Sequence, residues 1–158
     1  LGNSILGQFG LMGRVGDSVR EKAGLAYYAS TSLNAWLENG SWVVSAGINP
    51  ENVARAVSLI IDELRRFTSE PVSAEELSDN QSYYIGRLPL GLETNSGVAN
   101  AILNLERFDL GLDYLQRYPG LISAISPEDV LQAAQKFIDP EKLIIAYAGP
   151  ARKGNQPA

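Results

Sequence analysis

The sequence predicts an α+β fold with two layers, in which several helices pack on one face of a mainly antiparallel sheet. Two observations support this prediction: a pair of strand-like segments joined by a turn, and a long run of helical segments after them. Strands and helices do not alternate along the chain as they do in a doubly wound parallel sheet. Three predicted strands are few for so many helices, so we expect the first strand or strands of the sheet to be missing.

The predicted strands lie near both ends of the helical run. Leu25 to Trp36 is rich in aromatic, β-branched and small residues, and Trp42 to Ile48 follows the turn residues Glu38-Asn39-Gly40. This arrangement is typical of a β-hairpin. The apolar run from Leu143 to Tyr147 predicts a final buried strand.

Helix-start signals divide the rest of the chain. Asn49-Pro50-Glu51 combines a capping side chain, a proline suited to the first turn and an acid near the positive end of the helix dipole. Ser73 to Glu76 and Ser126 to Asp129 have capping-box spacing. Two more helices are predicted from Glu93 to Phe108 and from Tyr114 to Ile125. Ahead of the hairpin we expect a helix over residues 1–9, a glycine-loosened loop and a short helix over residues 13–23.

The domain prediction is a single domain over residues 1–153, followed by a disordered tail over residues 154–158. The chain begins with Leu1, and the next residues have the character of a helix already in progress. We therefore expect the domain to be truncated at its N-terminus. With 158 residues and 45% hydrophobic content, the chain is long enough to bury a core.

Composition limits the possible functions. The chain contains no histidine and no cysteine, which excludes thiolate zinc sites, iron–sulfur clusters and disulfides. A formal net charge of -5 argues against general affinity for nucleic acid. No apolar run has the length of a membrane span. We expect a soluble protein, with the compartment left open between the cytoplasm and an exported space.

Arg20 and Tyr27 are the best candidates for chemistry in a chain without histidine or cysteine. An arginine is always charged and donates several hydrogen bonds, and a tyrosine hydroxyl can donate to a carbonyl or to a developing oxyanion. Such a pair would suit a peptide substrate. The structural alternative is that Arg20 pairs with Asp17 or Glu21 on the surface and that Tyr27 is an ordinary strand aromatic.

Two other constellations carry weaker signals. The acidic pairs Glu75-Glu76 and Glu128-Asp129 occupy first turns of predicted helices, where the dipole favours negative charge. Only a hard oxygen site for magnesium or calcium could be built from such residues. The glycines between Gly7 and Gly16 lack the Gly-Lys-Ser/Thr ending of a phosphate-binding loop, but they could let an extended peptide approach closely.

Several segments resemble a known family in their order and spacing. The most specific is Arg20-Glu21-Lys22 with Gly24-Leu25-Ala26-Tyr27. The others are Asn3-Ser4-Ile5-Leu6-Gly7, the glycine stretch through Gly13-Arg14, Pro50-Glu51-Asn52-Val53, Glu75-Glu76-Leu77, Leu92-Glu93-Thr94, Ile125-Ser126-Pro127-Glu128-Asp129-Val130 and Gly149-Pro150. Over nearly its whole length the chain resembles the C-terminal, non-zinc-binding domain of the pitrilysin, insulinase and mitochondrial processing peptidase family of zinc metallopeptidases.

The resemblance implies a metallopeptidase-half fold that works with a homologous zinc-binding half, in the same polypeptide or in a separate subunit. Zinc is expected in that half, through an inverted His-x-x-Glu-His motif that this chain lacks. No metal or cofactor is expected in this chain, which should be inactive alone. The resemblance assigns Tyr27 as an oxyanion donor acting in trans and Arg20 as a substrate-binding residue. It places Gly7, Gly10 and Gly13 in a substrate-binding loop.

We therefore expect the substrate-binding, noncatalytic half of a two-domain or two-subunit zinc metalloendopeptidase, with Arg20 and Tyr27 completing the active site. The alternative is an inactive scaffold or core subunit of the same fold. A third hypothesis, from a different class, is a free-standing acidic enzyme that binds magnesium or calcium.

Overall fold

The structure is a computed structural model that describes residues 1–36 and 38–150, without the side chain of Leu11. In chain order its elements are α1 (Gly2–Gly7), α2 (Phe9–Gly16), a π-helical turn (Asp17–Lys22), β1 (Ala26–Ala35), β2 (Gly40–Ile48), a 3-10 turn (Pro50–Asn52), α3 (Val53–Ser69), α4 (Ala74–Gly91), α5 (Asn95–Arg107), α6 (Tyr114–Ser123) and α7 (Pro127–Phe137). The predicted α+β class and antiparallel sheet are confirmed.

The predicted hairpin is present. β1 and β2 pair in antiparallel register from Ala26 opposite Ile48 to Ala35 opposite Gly40. The indole Nε1 of Trp42 donates to Oδ1 of Asn3 at 2.8 Å, which ties the hairpin to α1. The register shifts between Ala26 and Tyr28, near the start of β1, and this irregularity includes the predicted site residue Tyr27.

The hydrophobic core lies between the hairpin and the helices α1, α3, α4 and α7. Its buried members are Ile5, Leu6, Val15, Val19, Leu25, Ala29, Ala56, Leu64, Phe67, Val72, Leu77, Val130 and Ala134. Fully burying one of the larger apolar side chains contributes roughly 1.5–3 kcal/mol to folding. One buried polar pair joins α1 to α4, where the Ser4 hydroxyl donates to Oδ1 of Asn80 at 2.7 Å.

The local helix-start predictions are confirmed. The side chain of Asn49 accepts a hydrogen bond from the amide of Glu51 at 3.1 Å. Ser73 with Glu76 and Ser126 with Asp129 form complete capping boxes. These contacts join residues two or three positions apart, so sequence spacing alone is sufficient to predict them.

The predicted helix over residues 13–23 is present, but it begins earlier and ends in π-helical form, and the glycine-loosened loop predicted ahead of it was wrong. The chain instead folds as α2 over Phe9–Gly16, and a π-helical turn over Asp17–Lys22 continues from it. Gly10, Met12 and Gly13 have positive φ angles, so the first half of α2 departs from regular right-handed helix geometry.

The predicted final strand was also wrong. Residues 143–147 carry no strand assignment, and within the described part of the chain the sheet consists of β1 and β2 alone. A strand exists only where its backbone groups meet those of a neighbour, and an apolar run cannot supply the neighbour itself. Residues 154–158, predicted to be a disordered tail, lie outside the described residues.

None of the helices in the described ranges is long and apolar enough to cross a membrane.

Candidate functional site at the start of the first strand

Arg20 lies in the π-helical turn that precedes β1. Val19 is buried and anchors this turn in the core, while Arg20 stays partly exposed beside it. The turn closes with two backbone bonds, from the amide of Gly24 to the Arg20 carbonyl and from the amide of Leu25 to the Val19 carbonyl, both at 3.0 Å. Gly24 has φ +64°, the left-handed conformation in which glycine ends helices.

The Arg20 guanidinium forms an ion pair with its sequence neighbour. Its Nη1 lies 3.4 Å from Oε1 of Glu21, and both side chains are partly exposed. The pair predicted as one structural alternative is thus present. In the same turn Nζ of Lys22 lies 2.6 Å from Oδ2 of Asp17, so Asp17 pairs with Lys22. Exposed pairs of this kind contribute little to stability, which leaves the Arg20 side chain available to another acceptor.

Tyr27 is the extra residue of a β-bulge. Ala26 lies opposite Ile48 and Tyr28 lies opposite Gly47. Between these two pairs β1 advances by two residues and β2 by one, so β1 contains one extra residue. Ala29 and Thr31 point into the core, and strict alternation would turn residue 27 to the same buried face. The bulge breaks that alternation, and the Tyr27 side chain is 86% exposed. Bulges of this type re-aim side chains and are enriched beside functional sites.

Gly47 makes room for the residue next to the bulge. A Cβ at position 47 would lie 2.6 Å from Cε1 of the Tyr28 ring, so the ring rests directly on this glycine. Tyr28 therefore covers the hairpin, whereas Tyr27 extends from it. The two tyrosines are neighbours in sequence with different environments.

The three glycines predicted to bind substrate lie in α1 and α2 and have different roles. Gly7 is buried, and a Cβ there would collide with Thr31 of β1. At Gly13, where φ is +63°, a Cβ would lie 2.5 Å from the carbonyl oxygen of Ile5 and 2.6 Å from the amide nitrogen of Gly7. Gly10 has φ +60°, is exposed, and has open space around it. Gly7 and Gly13 therefore permit close packing, and Gly10 presents bare backbone to solvent.

The segment that contains these glycines, residues 7–13, is bonded to the edge of β1 that faces away from β2. The amide of Ala29 donates to Sδ of Met12 at 3.3 Å, and Nε2 of Gln8 donates to the carbonyl of Thr31 at 3.0 Å. Met12 has φ 81°, an uncommon conformation for a residue other than glycine. These contacts hold the segment beside the strand that carries Tyr27.

Arg14 holds the same segment against the helices. Its Nε and Nη2 each lie 2.7 Å from a carboxylate oxygen of Glu76, and its side chain is 13% exposed. Its Nη1 is 4.0 Å from Glu63, a buried carboxylate that also accepts from Arg66 at 2.8 Å. The guanidinium lies over the ring of Phe67 at 5.7 Å. This cluster joins α2 to α3 and α4.

The ion pair with Arg14 changes the pKa of Glu76. The hydrogen bonds from Arg14 and from the capping residue Ser73 lower the pKa of the Glu76 carboxyl from 4.5 to about 2. The same contact raises the pKa of Arg14. Sequence reasoning did not identify this pair, because the two residues are 62 positions apart. Near Arg14 the sequence offers one indication of burial, which is that the arginine lies between Gly13 and Val15.

No metal site can be assigned to these residues. In the described ranges no group of three or more Asp or Glu side chains is placed to hold a metal ion. The sequence supplies no histidine or cysteine. Glu76 and Glu128-Asp129 lie in first turns of helices, and the Glu76 and Asp129 side chains bond to the capping serines. The donor set therefore does not fit a zinc ion.

Comparison with solved structures identifies the fold. The fold superposes on the crystal structure of a peptidase M16 inactive domain from Pseudomonas fluorescens with a TM-score of 0.80 at 23% identity. That alignment covers 89% of this chain and 34% of the other. The likeness shows the fold, which is that of a peptidase M16 inactive domain.

The sequence assigns the family directly. The pattern described as "Peptidase M16 inactive domain" matches residues 2–84, which is more than half of the 158 residues. The chain belongs to this family, and the predicted resemblance is confirmed. The matched range contains Arg20, Tyr27 and the three glycines.

Two curated relatives agree with this assignment. The "Probable inactive metalloprotease YmfF" of Bacillus subtilis (strain 168) is 22% identical over 120 residues, which cover 76% of this chain and 28% of that protein. The "Uncharacterized zinc protease SCO5738" of Streptomyces coelicolor is 27% identical over 139 residues, which cover 86% of this chain and 29% of that protein. The chain thus spans less than a third of the length of either relative.

Proposed function

We propose that this chain is the substrate-binding half of a zinc metalloendopeptidase and that Arg20 and Tyr27 complete an active site whose metal is held by a homologous partner half. The observation that carries the proposal is the bulge at Tyr27, which extends this side chain into solvent at 86% exposure. A buried strand aromatic would need no such device. The family contributes the context, since the chain matches an inactive peptidase domain and one relative is described as a zinc protease.

The role of Tyr27 follows from its hydroxyl. During attack on a peptide carbonyl in the partner half, negative charge develops on the carbonyl oxygen, and the Tyr27 hydroxyl would donate a hydrogen bond to it. The side chain is 86% exposed, so it can enter a site formed by another half. An aromatic ring has only two side-chain torsions, so little entropy is lost when it is ordered there.

Arg20 would hold the substrate rather than act on the scissile bond. Within the described ranges its guanidinium is held by one partly exposed ion pair, with Glu21. Its five N–H donors suit the carbonyl oxygens of an extended peptide. Gly10 would add exposed backbone for the peptide to approach, and the absence of side chains at Gly7 and Gly13 lets the segment pack closely on β1 and on α1. The glycines thus contribute shape, and Arg20 contributes charge.

The test is kinetic and uses the complete assembly with its zinc-binding half. We expect Tyr27→Phe to lower kcat by roughly 10²-fold with little change in KM, the size of effect found when one oxyanion donor is removed. Arg20→Ala should raise KM with a smaller effect on kcat. Tyr28→Phe is the matched control, because Tyr28 lies next in sequence but rests on Gly47. Equal effects at positions 27 and 28 would contradict the assignment.

The alternative is an inactive scaffold or core subunit, and one comparison favours it. The relative YmfF is described as a probable inactive metalloprotease. The two functions separate on the sequence of the partner half. An inverted His-x-x-Glu-His motif in that half supports the peptidase, and a partner without it leaves Tyr27→Phe and the native protein equally inactive.

A further inference from the structure

An aromatic cluster joins α2 to α4 beside the segment of residues 7–13. The ring centroids of Phe9 and Tyr83 are 5.6 Å apart with an interplanar angle of 71°, an edge-to-face contact. Tyr83 makes a second edge-to-face contact with Tyr84, at 5.6 Å and 87°. Phe9 is partly buried, whereas Tyr83 is 43% exposed. The cluster of Phe9, Tyr83 and Tyr84 therefore presents aromatic surface to solvent.

Arg87 lies one helical turn after Tyr83 on the exposed surface of α4. Its guanidinium carbon is 5.8 Å from the centre of the Tyr83 ring, and its Nη1 donates to the Tyr83 hydroxyl at 3.0 Å. These two contacts hold the positive charge against the aromatic cluster. A guanidinium has several further N–H donors, and these suit the two oxygens of a carboxylate.

No acid within reach on its own helix can neutralise Arg87. The positions three and four residues away on the helix surface are aromatic or uncharged: Tyr83, Tyr84, Leu90 and Gly91. Among the residues that the structure describes, no carboxylate forms an ion pair with Arg87. Arg117 in α6, by contrast, pairs with Asp113 at 2.7 Å. In a chain with 18 acidic and 13 basic residues, Arg87 is thus a cation available to an external anion.

The aromatic cluster lies close to the predicted substrate-binding residues. Phe9 stands in sequence between Gln8, whose Nε2 donates to the carbonyl of Thr31, and the exposed backbone of Gly10. Thr31 comes four residues after Tyr27 in β1, which is about 13 Å along the strand. An extended peptide of about five residues covers that distance. A peptide whose scissile bond lies at Tyr27 can therefore reach the aromatic cluster with a residue a few positions away.

We propose that Phe9, Tyr83 and Arg87 form a subsite that binds a carboxylate of the peptide substrate. The guanidinium donates charge-assisted hydrogen bonds to the carboxylate, and the apolar part of the same residue lies against the two rings. An acidic side chain and a C-terminal carboxylate share this chemistry. The inference rests on the proposed function, to which it adds a preference for peptides with a negative charge at a fixed distance from the scissile bond.

The test measures peptide binding to the complete assembly by fluorescence anisotropy. A chelator is present, so that zinc-dependent cleavage stops and the metal cannot bind the carboxylate itself. The probes are labelled peptides of alanine, leucine and serine, amidated at the C-terminus and about ten residues long, enough to span both sites. Each carries one glutamate, placed at every position in turn, and a matched peptide carries glutamine there.

We expect a glutamate peptide to bind about tenfold more tightly than its glutamine match at one position or at two adjacent ones, the scale of a hydrogen bond to a charged group. A glutamine peptide with a free C-terminus tests the other source of the carboxylate. Tighter binding of that probe alone would assign the subsite to the terminal carboxylate. Equal affinities across all the probes, or no binding at millimolar concentration, would overturn the proposal.

Substitution of the arginine tests whether this group provides the preference. Arg87→Gln keeps a hydrogen-bonding side chain but removes the charge, and we expect it to bind the glutamate and glutamine peptides equally. Arg107→Gln is the matched control, because Arg107 is also exposed and lies over a ring, that of Phe108 at 5.4 Å. This variant should keep the tenfold preference. A preference that survives in Arg87→Gln, or that both variants lose, would reject the subsite.

The binding readout separates this inference from the proposed function, because it does not require turnover. Tyr27→Phe should leave the ratio of the two affinities unchanged, since its hydroxyl acts on the bond that is cleaved. A preference that depends on Arg87, together with unchanged kcat in Tyr27→Phe, would support the subsite and contradict the role of Tyr27. Lowered kcat in Tyr27→Phe without any preference for glutamate or a free C-terminus would reject the subsite alone.

Discussion

Arg14 and Glu76 form a two-point ion pair in which Nε and Nη2 of the arginine each lie 2.7 Å from a carboxylate oxygen. The pair joins the glycine-bearing segment to α4 and lies beside the buried carboxylate of Glu63. Planar guanidinium and carboxylate groups match in this geometry, and a lysine could not reproduce both bonds. The pair therefore fixes the position of the segment that packs against the Tyr27 strand.

Removal of the arginine should destabilise the domain. Arg14→Met leaves Glu76 without its charged partner and reduces the compensation of Glu63, so we expect a loss of about 2–3 kcal/mol in the free energy of unfolding. Urea denaturation followed by circular dichroism measures it. Arg65→Met is the matched control, because Arg65 makes an exposed pair with Glu141 and its removal should change little. A similar loss in both variants would argue against a special role for Arg14.

The low pKa of Glu76 predicts a specific acid sensitivity. Its pKa is about 2 in the folded protein and 4.5 ordinarily, so the folded state holds fewer protons at this group than the unfolded state does. This contribution to stability is complete above about pH 4.5 and is lost as the pH falls toward about 2. Melting temperatures measured from pH 6 to pH 2.5 should fall more steeply for the native protein than for Glu76→Gln. Parallel curves would show that Glu76 is not the responsible group.

Glycine substitutions should separate close packing from backbone conformation. Both Gly10 and Gly13 have positive φ, but only at Gly13 would a Cβ collide with neighbouring backbone. We expect Gly10→Ala to cost about 1–2 kcal/mol, the strain of a left-handed residue. Gly13→Ala should cost clearly more, because the backbone of Ile5 and Gly7 must move as well. Chemical denaturation of both variants tests the order, and equal losses would contradict it.

The bulge predicts that Tyr27 is dispensable for folding. Because the side chain is 86% exposed, Tyr27→Ala should change the free energy of unfolding by no more than about 0.5 kcal/mol. Tyr28→Ala should be the more harmful substitution, since it removes the ring that rests on Gly47. Thermal denaturation compares the two. A large loss at position 27 would support the structural interpretation of this tyrosine.

The sequence by itself determined the features whose contacts are local. The capping boxes at Ser73 and Ser126, the cap at Asn49 and the positive-φ glycine after the Arg20 turn each involve residues no more than about six positions apart. The hairpin was predicted from two strand-like segments and the turn between them, and the family from the order and spacing of segments along the chain. Spacing along the chain is sufficient for such features, because their partners are always within reach.

Only the tertiary structure decided the features that need a distant partner. The outward direction of Tyr27 depends on how β1 and β2 are registered, and the residues around position 27 do not state that register. Arg14 meets Glu76 only after α2 and α4 pack, and residues 143–147 remain out of a strand because pairing requires a neighbouring backbone. The hydrophobic pattern predicts which residues are buried. Which backbone and side-chain groups come into contact depends on how the rest of the chain folds around them.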